Sequence, residues 1–339
     1  MKAATLAGIG RKIEITEKAK PVIGPDEVLI EETVTGICYR DLLTQQGFFP
    51  RAKFPITPGH EITGTVVEVG KDVTEFSIGQ RVSSLIYEPC GQCEFCRSGR
   101  ENLCRSKKTF GELLDGSYAQ FIKANKRSLI TVPDGVSQEG AAIASCVTGM
   151  LYHALVVEGN LTSGKTVLIT GAGGGIGSHA VQLAKALGGH VIAETSSQWK
   201  AERISALGAE MIVSAAEDFD KSIKKAYPDG VDITLECVGK WTFSKSLRAL
   251  GNGGRMVVVG NVVPDPVDLP LGLIILKGNS IVGSISSTRS DVSRVLEMEK
   301  EGKIKPVIDR KVRLENVEEA YTEIREKKNF GRILLDLTE

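Results

Sequence analysis

Four of the seven cysteines in this chain lie within fifteen residues. Their spacing is C-x2-C-x2-C-x7-C, and they are Cys90, Cys93, Cys96 and Cys104. Four thiolates this close in sequence suit the closed tetrahedral shell of a structural Zn²⁺. A disulfide knot is the alternative, but such knots belong to small secreted domains, and this is a long chain for which we predict no signal peptide. The spacing therefore predicts a small lobe, from about residue 88 to 106, that is held by zinc.

The overall composition excludes several classes of partner. The 339 residues suggest two domains, at roughly 150 residues each. Lys plus Arg equals Asp plus Glu, at 42 each, so no net field would attract nucleic acid or a charged membrane surface. The longest apolar runs are far too short to cross a bilayer. We therefore expect a protein that acts on a small molecule, with no nucleic-acid or membrane partner. Seven cysteines without a predicted secretion signal indicate a reducing compartment, so we expect the cytoplasm.

The first part of the chain, to about residue 90, is predicted to be rich in β-strands. Val28–Val34 and Thr65–Val69 are short runs rich in β-branched residues and bounded by Gly and Pro. A helix is expected from Cys38 to Gln46. These features favour a compact, barrel-like domain with projecting loops.

From about Thr162, strands and helices alternate. Lys165–Thr170 is a buried-strand run, a glycine-rich loop follows it, and a helical pattern comes next. Further strands are predicted at 190–193, 211–214, 231–238, 255–260 and 280–283. This alternation indicates a parallel sheet covered by helices on both faces. The last fifty residues add a helix near 291–300 and a strand at 332–337, and we expect them to return to the first domain.

The glycine-rich loop predicts dinucleotide binding because it joins a strand to a helix. Glycines let the backbone approach a pyrophosphate, and the helix N-terminus offers free N–H groups and the positive end of its dipole. The loop departs from G-x-G-x-x-G at its first glycine, where Ala172 stands. A tight turn without a ligand is the alternative. The candidate cofactor residues are Gly171, Ala172, Gly173, Gly174, Gly175, Ile176 and Gly177.

The end of the second strand of this unit favours NADP over NAD. A carboxylate there would bind the adenosine ribose and repel a 2′-phosphate, and Thr195 stands at the expected position. Ser196, Ser197 and Lys200 can donate hydrogen bonds to a phosphate. Glu194, one residue earlier, could still favour NAD, but strand alternation would point it the other way.

A second set of metal-binding residue types is scattered through the first domain. Cys38 and Cys146 lie outside the lobe, and His60 precedes Glu61 in a predicted turn. Cys, His and Cys with a nearby Glu resemble a catalytic zinc set that leaves one position open to substrate. The spacing alone does not exclude the alternative that each of these residues is simply buried and has no ligand role.

The motifs together resemble a known family. Gly59-His60-Glu61-Ile62-Thr63-Gly64, followed by Gly70 and Val73, is similar to the zinc signature of medium-chain alcohol dehydrogenases. The cysteine lobe, the glycine loop and Gly331-Arg332 are also similar to that family. The resemblance implies a GroES-like catalytic domain over residues 1–150, a Rossmann domain over 151–284, and a return to the catalytic domain over 285–339. It also implies a homodimer or homotetramer.

The resemblance assigns roles to individual residues. Cys38, His60 and Cys146 match the ligands of a catalytic zinc, and Glu61 matches a neighbouring acid that can approach the metal. Asp41 matches the carboxylate that orients the ligand histidine. Arg332 resembles the basic residue that contacts the cofactor pyrophosphate. Two Zn²⁺ per chain are therefore expected, one catalytic and one structural.

Some positions depart from the alcohol dehydrogenase pattern. The family carries a Ser or Thr two residues after the first ligand cysteine, and its hydroxyl relays a proton; here that residue is Arg40. A guanidinium stays protonated and cannot relay a proton, although it can bind an anion or a carbonyl oxygen. Leu43 and Met150 also replace family residues, and Tyr39 is a possible substitute donor. Cys38–Leu43, Cys146–Met150 and Glu301–Ile308 are similar to archaeal acryloyl-CoA reductases, which reduce a conjugated C=C with NADPH.

Two enzymatic hypotheses follow. The first, which the ligand set favours, is a zinc-dependent alcohol dehydrogenase or carbonyl reductase that uses NADP(H). The second is an NADPH-dependent reductase of activated C=C bonds, of the acryloyl-CoA reductase or quinone reductase type, in which zinc or Arg40 stabilises an enolate. A non-enzymatic NADPH-binding protein is a third hypothesis, which would leave the ligand set without a purpose.

Overall fold

The structure is a computed structural model that describes residues 1–263 and 265–338. The chain divides into two compact units. Unit 1 contains Met1–Gly149 and the C-terminal residues from Ser286, and unit 2 contains Met150–Ile285.

The strands are short, as expected for chain segments bounded by Gly and Pro. They are β1 (Lys2–Leu6), β2 (Ile13–Glu17), β3 (Glu27–Glu32), β4 (Val34–Gly36), β5 (Thr63–Val69), β6 (Arg81–Ser84), β7 (Tyr87–Glu88), β8 (Lys108–Thr109), β9 (Phe121–Asn125), β10 (Leu129–Thr131), β11 (Thr166–Ile169), β12 (His190–Thr195), β13 (Met211–Ser214), β14 (Val231–Glu236), β15 (Leu250–Val258), β16 (Ser280–Gly283), β17 (Ile308–Arg313) and β18 (Arg332–Asp336).

The helices include one continuous stretch in which two π-helical segments lie on either side of α4 (Met150–Tyr152). They are α1 (Tyr39–Gln45), α2 (Glu94–Arg97), α3 (Gln138–Ile143), α4 (Met150–Tyr152), α5 (Gly177–Ala186), α6 (Ala201–Ala206), α7 (Phe219–Ala226), α8 (Phe243–Ala249), α9 (Leu271–Lys277), α10 (Arg289–Lys300) and α11 (Val317–Arg325). The π-helical segments are Ala144–Gly149 and His153–Glu158, and 3₁₀ turns occupy Glu101–Leu103, Lys126–Ser128, Gln198–Lys200 and Leu314–Asn316.

Unit 1 is built around a five-stranded antiparallel sheet in the order β10-β6-β5-β3-β9. Its inner face packs Val28, Ile30, Ile62 and Val66 into one apolar core. The C-terminal strand β18 joins β17 and β4 in a second sheet. The sequence predicted one strand over Val28–Val34, but the chain breaks at Thr33, because β3 and β4 belong to these two different sheets.

Unit 2 contains a six-stranded parallel sheet in the order β13-β12-β11-β14-β15-β16. The chain reverses its direction of growth across the sheet between β11 and β14. Ligands of such folds bind at the carboxyl ends of the strands on either side of this switch point. The glycine loop leaves β11 at this edge. The sheets of the two units confirm the predicted mixed α/β fold with a GroES-like unit and a Rossmann sheet.

The helical run Gln138–Glu158 is the one stretch of the described residues that is long and apolar enough to cross a membrane, with a mean hydropathy of 1.6. However, 78% of its most apolar window is buried inside the protein. We therefore interpret this run as a helix of the protein core, whose burial accounts for its apolar composition.

Candidate functional site

Four candidate metal-ligating side chains from separate parts of the sequence converge in unit 1. Cys38 is the N-cap of α1, His60 and Glu61 lie in the loop before β5, and Cys146 lies in the π-helical segment that follows α3. One ligand atom from each of these residues lies within 4.8 Å of the others. The structure therefore brings together the whole set that the family resemblance assigns to a catalytic zinc.

The ring of His60 is oriented by Asp41. Nδ1 of His60 lies 3.1 Å from Oδ1 of Asp41, and Nε2 lies 3.3 Å from the Sγ atom of Cys146. An Nδ1–H donor to the carboxylate leaves the lone pair of Nε2 directed at the thiols, as a metal ligand requires. The sulfurs of Cys38 and Cys146 are 3.8 Å apart. This separation fits two thiolates on one tetrahedral zinc, for which Zn–S bonds of about 2.3 Å give about 3.8 Å.

Asp41 is itself held by two further donors. The backbone N–H of Cys38 donates to its Oδ2 at 3.0 Å, in a capping box at the start of α1. The hydroxyl of Tyr118, which is fully buried, donates to the same oxygen at 2.8 Å. Tyr118 was absent from the sequence predictions, and no local spacing could have indicated it, because it lies 77 residues from Asp41.

The pKa values of the cluster residues are shifted by their contacts with one another. A hydrogen bond from Cys146 holds the pKa of the Cys38 thiol well below its ordinary value, and the same interaction raises the pKa of Cys146. Burial alone would lower the pKa of His60, but the Asp41 carboxylate and the Cys38 thiolate raise it to about 10. Cys38 is therefore the more acidic of the two thiols, and metal ligands of this kind bind in their deprotonated form.

Glu61 brings a carboxylate to the edge of this cluster. The residue is fully buried, and one oxygen forms an ion pair with the Arg332 guanidinium. Within the part of the chain that the structure describes, the other oxygen, Oε2, has no hydrogen-bond partner. Gly36 makes room for it, because a Cβ atom at that position would lie 1.7 Å from Oε2. Burial also raises the pKa of Glu61. An orphaned buried oxygen of this kind fits a residue that can approach a metal.

Arg332 lies in β18 and is only 5% exposed. One of its terminal nitrogens contacts Glu61, and its Nε atom has no hydrogen-bond partner among the described residues. Contact between Arg332 and a cofactor pyrophosphate stays a prediction.

Arg40 occupies the first turn of α1, beside the cluster. Its backbone N–H donates to the Sγ atom of Cys38 at 3.5 Å. Its guanidinium forms an ion pair with Glu112 and lies over the ring of Phe49, with Cζ 3.9 Å from the ring centroid. Glu112 was also missing from the sequence predictions. Among the other substituted positions, Tyr39 and Leu43 in α1 are partly buried, and Met150 at the start of α4 is buried.

The four lobe cysteines form a second cluster, and their sulfurs also lie within 4.8 Å of one another. Cys93 Sγ is 3.5 Å from Cys96 Sγ, and Cys90 Sγ is 3.9 Å from the same atom. All four are free thiols. Backbone N–H groups of Gln92 and Cys93 lower the pKa of Cys90 to about 6. Distances and chemistry fit a tetrahedral Cys₄ metal site with no position left for a substrate.

The glycine loop of unit 2 is tightly packed at its two ends. Gly171 has a φ of +62°, in the left-handed region that favours glycine. Gly177 begins α5, and a Cβ atom there would lie 2.3 Å from the carbonyl oxygen of Gly171. This close approach of helix to strand leaves the first backbone N–H groups of α5 at the carboxyl edge of the sheet.

The side chains at and after the end of β12 differ in their burial and in their contacts. The Glu194 carboxylate is buried and accepts a hydrogen bond from the N–H of Gly171 at 2.9 Å. The Lys200 side chain is also buried, and its ammonium lies 3.3 Å from the carbonyl oxygen of Gly173. Thr195 is buried and accepts a hydrogen bond from the N–H of Ser197, whereas Ser196 is exposed. Glu194 and Lys200 therefore both lie against the glycine loop.

Comparison with known proteins agrees with this architecture. Residues 24–134 match the alcohol dehydrogenase GroES-like domain family, and residues 175–301 match the zinc-binding dehydrogenase family. The chain is 43% identical over 336 residues to an acryloyl-coenzyme A reductase of Sulfurisphaera tokodaii, with 99% of both chains covered. An alcohol dehydrogenase of Geobacillus stearothermophilus is 35% identical over 338 residues, again with 99% of both covered.

Solved structures show the same fold. The crystal structure of AibC has a TM-score of 0.92 and 36% identity, and it covers 99% of this chain and 95% of that one. An NAD-dependent alcohol dehydrogenase has a TM-score of 0.93 and 29% identity, with 99% of both chains covered. The chain belongs to the zinc-containing medium-chain alcohol dehydrogenase family. It is accordingly an NAD(P)-dependent oxidoreductase of the zinc-binding type, as the sequence motifs predicted.

Proposed function

We propose that this protein is an NADPH-dependent reductase of the activated C=C bond of an α,β-unsaturated thioester, such as acryloyl-CoA. The observation that carries the proposal is Arg40, which stands where the alcohol-oxidising members have a proton-relaying hydroxyl. A guanidinium cannot relay a proton, but it can donate hydrogen bonds to an oxygen that becomes negative. The higher identity to acryloyl-CoA reductases, 43% against 35% for the alcohol dehydrogenase, supports the same choice.

The reaction places negative charge on the thioester oxygen. A nicotinamide cofactor at the glycine loop would supply the hydride, which adds to the β-carbon of the substrate. The π electrons of the C=C bond then move toward the carbonyl, and a proton from solvent adds to the α-carbon. Arg40 would donate N–H groups to the oxygen as its charge develops, which is where fixed donors contribute most to the rate.

Cys38, His60 and Cys146 would hold the catalytic zinc, with Glu61 beside it and Asp41 orienting the histidine. Zinc bound there would supply a Lewis acid toward a carbonyl oxygen. Cys90, Cys93, Cys96 and Cys104 would hold a second, structural ion. We therefore propose two zinc ions per chain.

Carbonyl reduction is the second candidate, and the ligand cluster favours it. A cysteine–histidine–cysteine set with an open position is the chemistry of zinc alcohol dehydrogenases. The two candidates give different products from a cyclic enone and NADPH. Alkene reduction gives the saturated ketone, and carbonyl reduction gives the allylic alcohol.

The preference for NADPH is supported by the end of β12. Glu194 is engaged with Gly171 and is 1% exposed, so no carboxylate from this residue is available to bind a ribose hydroxyl or to repel a 2′-phosphate. The exposed hydroxyl of Ser196 can donate to a phosphate. We expect NADPH to bind at least about tenfold more tightly than NADH.

A homodimer or homotetramer is the proposed assembly. Leu271, Ile275 and Leu276 in α9 are 64%, 78% and 86% exposed. Among the described residues, β16 is hydrogen-bonded to β15 alone and so is an edge strand of the sheet. An open edge beside exposed apolar side chains fits a second copy of the chain. Ile275→Glu should give a smaller species in light scattering, whereas Val22→Glu, at a residue 86% exposed in unit 1, should not.

The direct test is product analysis with purified protein, NADPH and acryloyl-CoA. The proposal expects propionyl-CoA and equimolar NADP⁺. Failure to form propionyl-CoA, together with an allylic alcohol from a cyclic enone, would replace it with the carbonyl-reductase candidate.

A further inference from the structure

We propose that Glu112 is a positioning residue that fixes Arg40 and makes the site select a neutral thioester over a free carboxylate. The inference rests on the proposed function, because it concerns the recognition of the same substrate oxygen. It is carried by the ion pair between Arg40 and Glu112 and by the contacts that hold each of its members.

The Arg40 guanidinium is held on two sides. One terminal nitrogen contacts the Glu112 carboxylate, and the guanidinium lies over the ring of Phe49. Phe49 in turn meets Phe48 edge to face, with ring centroids 5.1 Å apart. The side chains of Arg40 and Glu112 are 29% and 11% exposed. A partly buried pair of this kind restricts the guanidinium more than a surface pair would.

Glu112 belongs to a segment that is packed against the loop before His60. Its backbone oxygen accepts a hydrogen bond from the N–H of Lys53 at 2.9 Å. At the preceding Gly111, a Cβ atom would lie 2.7 Å from the carbonyl oxygen of Gly59. The ion pair therefore joins α1, whose N-cap is Cys38, to the segment beside the His60 loop, so Arg40 is fixed relative to both ligands.

The charge of the pair determines what it can bind. Glu112 is the one hydrogen-bond partner of the Arg40 guanidinium among the described residues, so other N–H donors remain for a ligand oxygen. The carboxylate balances the guanidinium charge, so a neutral carbonyl oxygen can accept these donors without repulsion. An ionised free acid would place a second negative charge beside Glu112.

A further cation in this region has its own partners. The Lys107 ammonium donates to the carbonyl oxygen of Asn102 and lies 5.3 Å from the ring centroid of Tyr87. It also interacts with Cys104 of the cysteine lobe. It also interacts electrostatically with Arg40 and Glu112, but its hydrogen bond goes to Asn102, and Glu112 is the carboxylate in direct contact with the Arg40 guanidinium.

The test compares wild type with Glu112→Gln, which keeps the shape of the side chain and removes its charge. We expect kcat/KM for acryloyl-CoA to fall about tenfold or more, since a charge-assisted contact that positions Arg40 is lost. Competitive inhibition by propionate should strengthen about tenfold, since Arg40 then lacks a counter-ion. Glu112→Asp should restore part of the wild-type behaviour. Glu315→Gln, which removes the charge from a surface pair with Lys2, is the matched control.

Loss of activity with unchanged propionate inhibition would overturn the inference, and so would values of both within twofold of wild type. If Glu112→Gln proves unstable, Arg40→Lys keeps both charges but loses the planar donors, and it should lower kcat/KM for acryloyl-CoA without changing NADPH affinity. A wild-type protein that forms no propionyl-CoA would refute the proposed function alone. Calorimetric binding of propionate to wild type and Glu112→Gln, with NADP⁺ present, would then still decide the role of Glu112.

Discussion

The Nδ1 atom of His60 lies 3.1 Å from the Oδ1 atom of Asp41, and neither side chain is more than 4% exposed. This contact sets which ring nitrogen faces the two cysteine sulfurs. Asp41 receives two more donors, the backbone N–H of Cys38 and the hydroxyl of Tyr118. The carboxylate thus joins a metal-ligand loop, the first turn of α1 and a buried tyrosine in one network.

Tyr118→Phe should weaken metal binding at this cluster without removing a ligand. The loss of one donor leaves Asp41 freer to turn, so the affinity for Zn²⁺ or Co²⁺ should fall about tenfold. The measurement is competition with a chelating dye and the absorption spectrum of the cobalt form. Tyr87→Phe is the control, because that hydroxyl donates to the carbonyl oxygen of Ser287 and not to Asp41. Equal metal affinity in wild type and Tyr118→Phe would mean that Asp41 needs no support from the tyrosine.

Cys93→Ser should remove one of two zinc ions and destabilise the fold. A Cys₄ site loses its closed shell when one thiolate is replaced, and bound metal contributes directly to folding. Protein purified without chelator should contain two zinc ions in wild type and one in the variant, with a Tm lower by about 5 °C or more. Cys237→Ser, outside both clusters, should keep two. At most one zinc ion in wild type would refute the proposed pair of sites.

Part of this architecture could be predicted from the sequence because the relevant residues are close together. The four lobe cysteines span fifteen residues, and the glycine loop lies between one strand and one helix. The strands at Met211–Ser214 and Ser280–Gly283 have the predicted bounds, since each is a β-branched run between clear turn signals. In contrast, the meeting of Cys38, His60 and Cys146 could be anticipated only through the family resemblance.

Other contacts could not be predicted from the local sequence. Arg40 meets Glu112 across 72 residues, and Asp41 meets Tyr118 across 77. Contact between Lys200 and a phosphate stays a prediction, and the sequence did not indicate that this side chain is buried against Gly173. Such contacts depend on how distant segments pack, which neither hydrophobic period nor motif spacing encodes.

Thr195→Asp should shift the cofactor preference toward NADH. A carboxylate at the end of β12 would repel the 2′-phosphate of NADPH and accept hydrogen bonds from the ribose of NADH. We expect the ratio of NADPH to NADH affinity to fall about tenfold or more, as measured by fluorescence titration. Ser205→Asp adds the same charge at an exposed position of α6 and should leave the ratio unchanged. If wild type binds both cofactors equally, the proposed NADP preference is wrong.

Glu32→Gln should stabilise unit 1 at neutral pH. Glu32 is 2% exposed, and neither of its carboxyl oxygens has a hydrogen-bond partner of regular geometry among the described residues. Burial raises its pKa well above 4.5, so the folded protein retains a proton that the unfolded chain loses. Stability from this group is therefore full below pH 4.5 and falls as pH rises toward the folded pKa.

The glutamine variant removes that pH dependence, because it resembles the neutral acid and cannot ionise. At pH 8 it should be more stable than wild type by about 1–3 kcal/mol, and the difference should vanish near pH 4. Thermal unfolding across this range measures the effect. Glu31→Gln, on the same strand but exposed, should change little. A parallel pH profile for wild type and Glu32→Gln would show that Glu32 finds a partner in solution.

The most direct test of the central claim follows the transferred hydrogen. NADPH carrying deuterium at the reactive C4 position should be incubated with the protein and acryloyl-CoA, and the products analysed by mass spectrometry and NMR. Reduction of the C=C bond predicts propionyl-CoA with one deuterium on its β-carbon. Deuterium on the carbonyl carbon, or no propionyl-CoA beside an allylic alcohol from a cyclic enone, would contradict the account and assign the protein to carbonyl reduction.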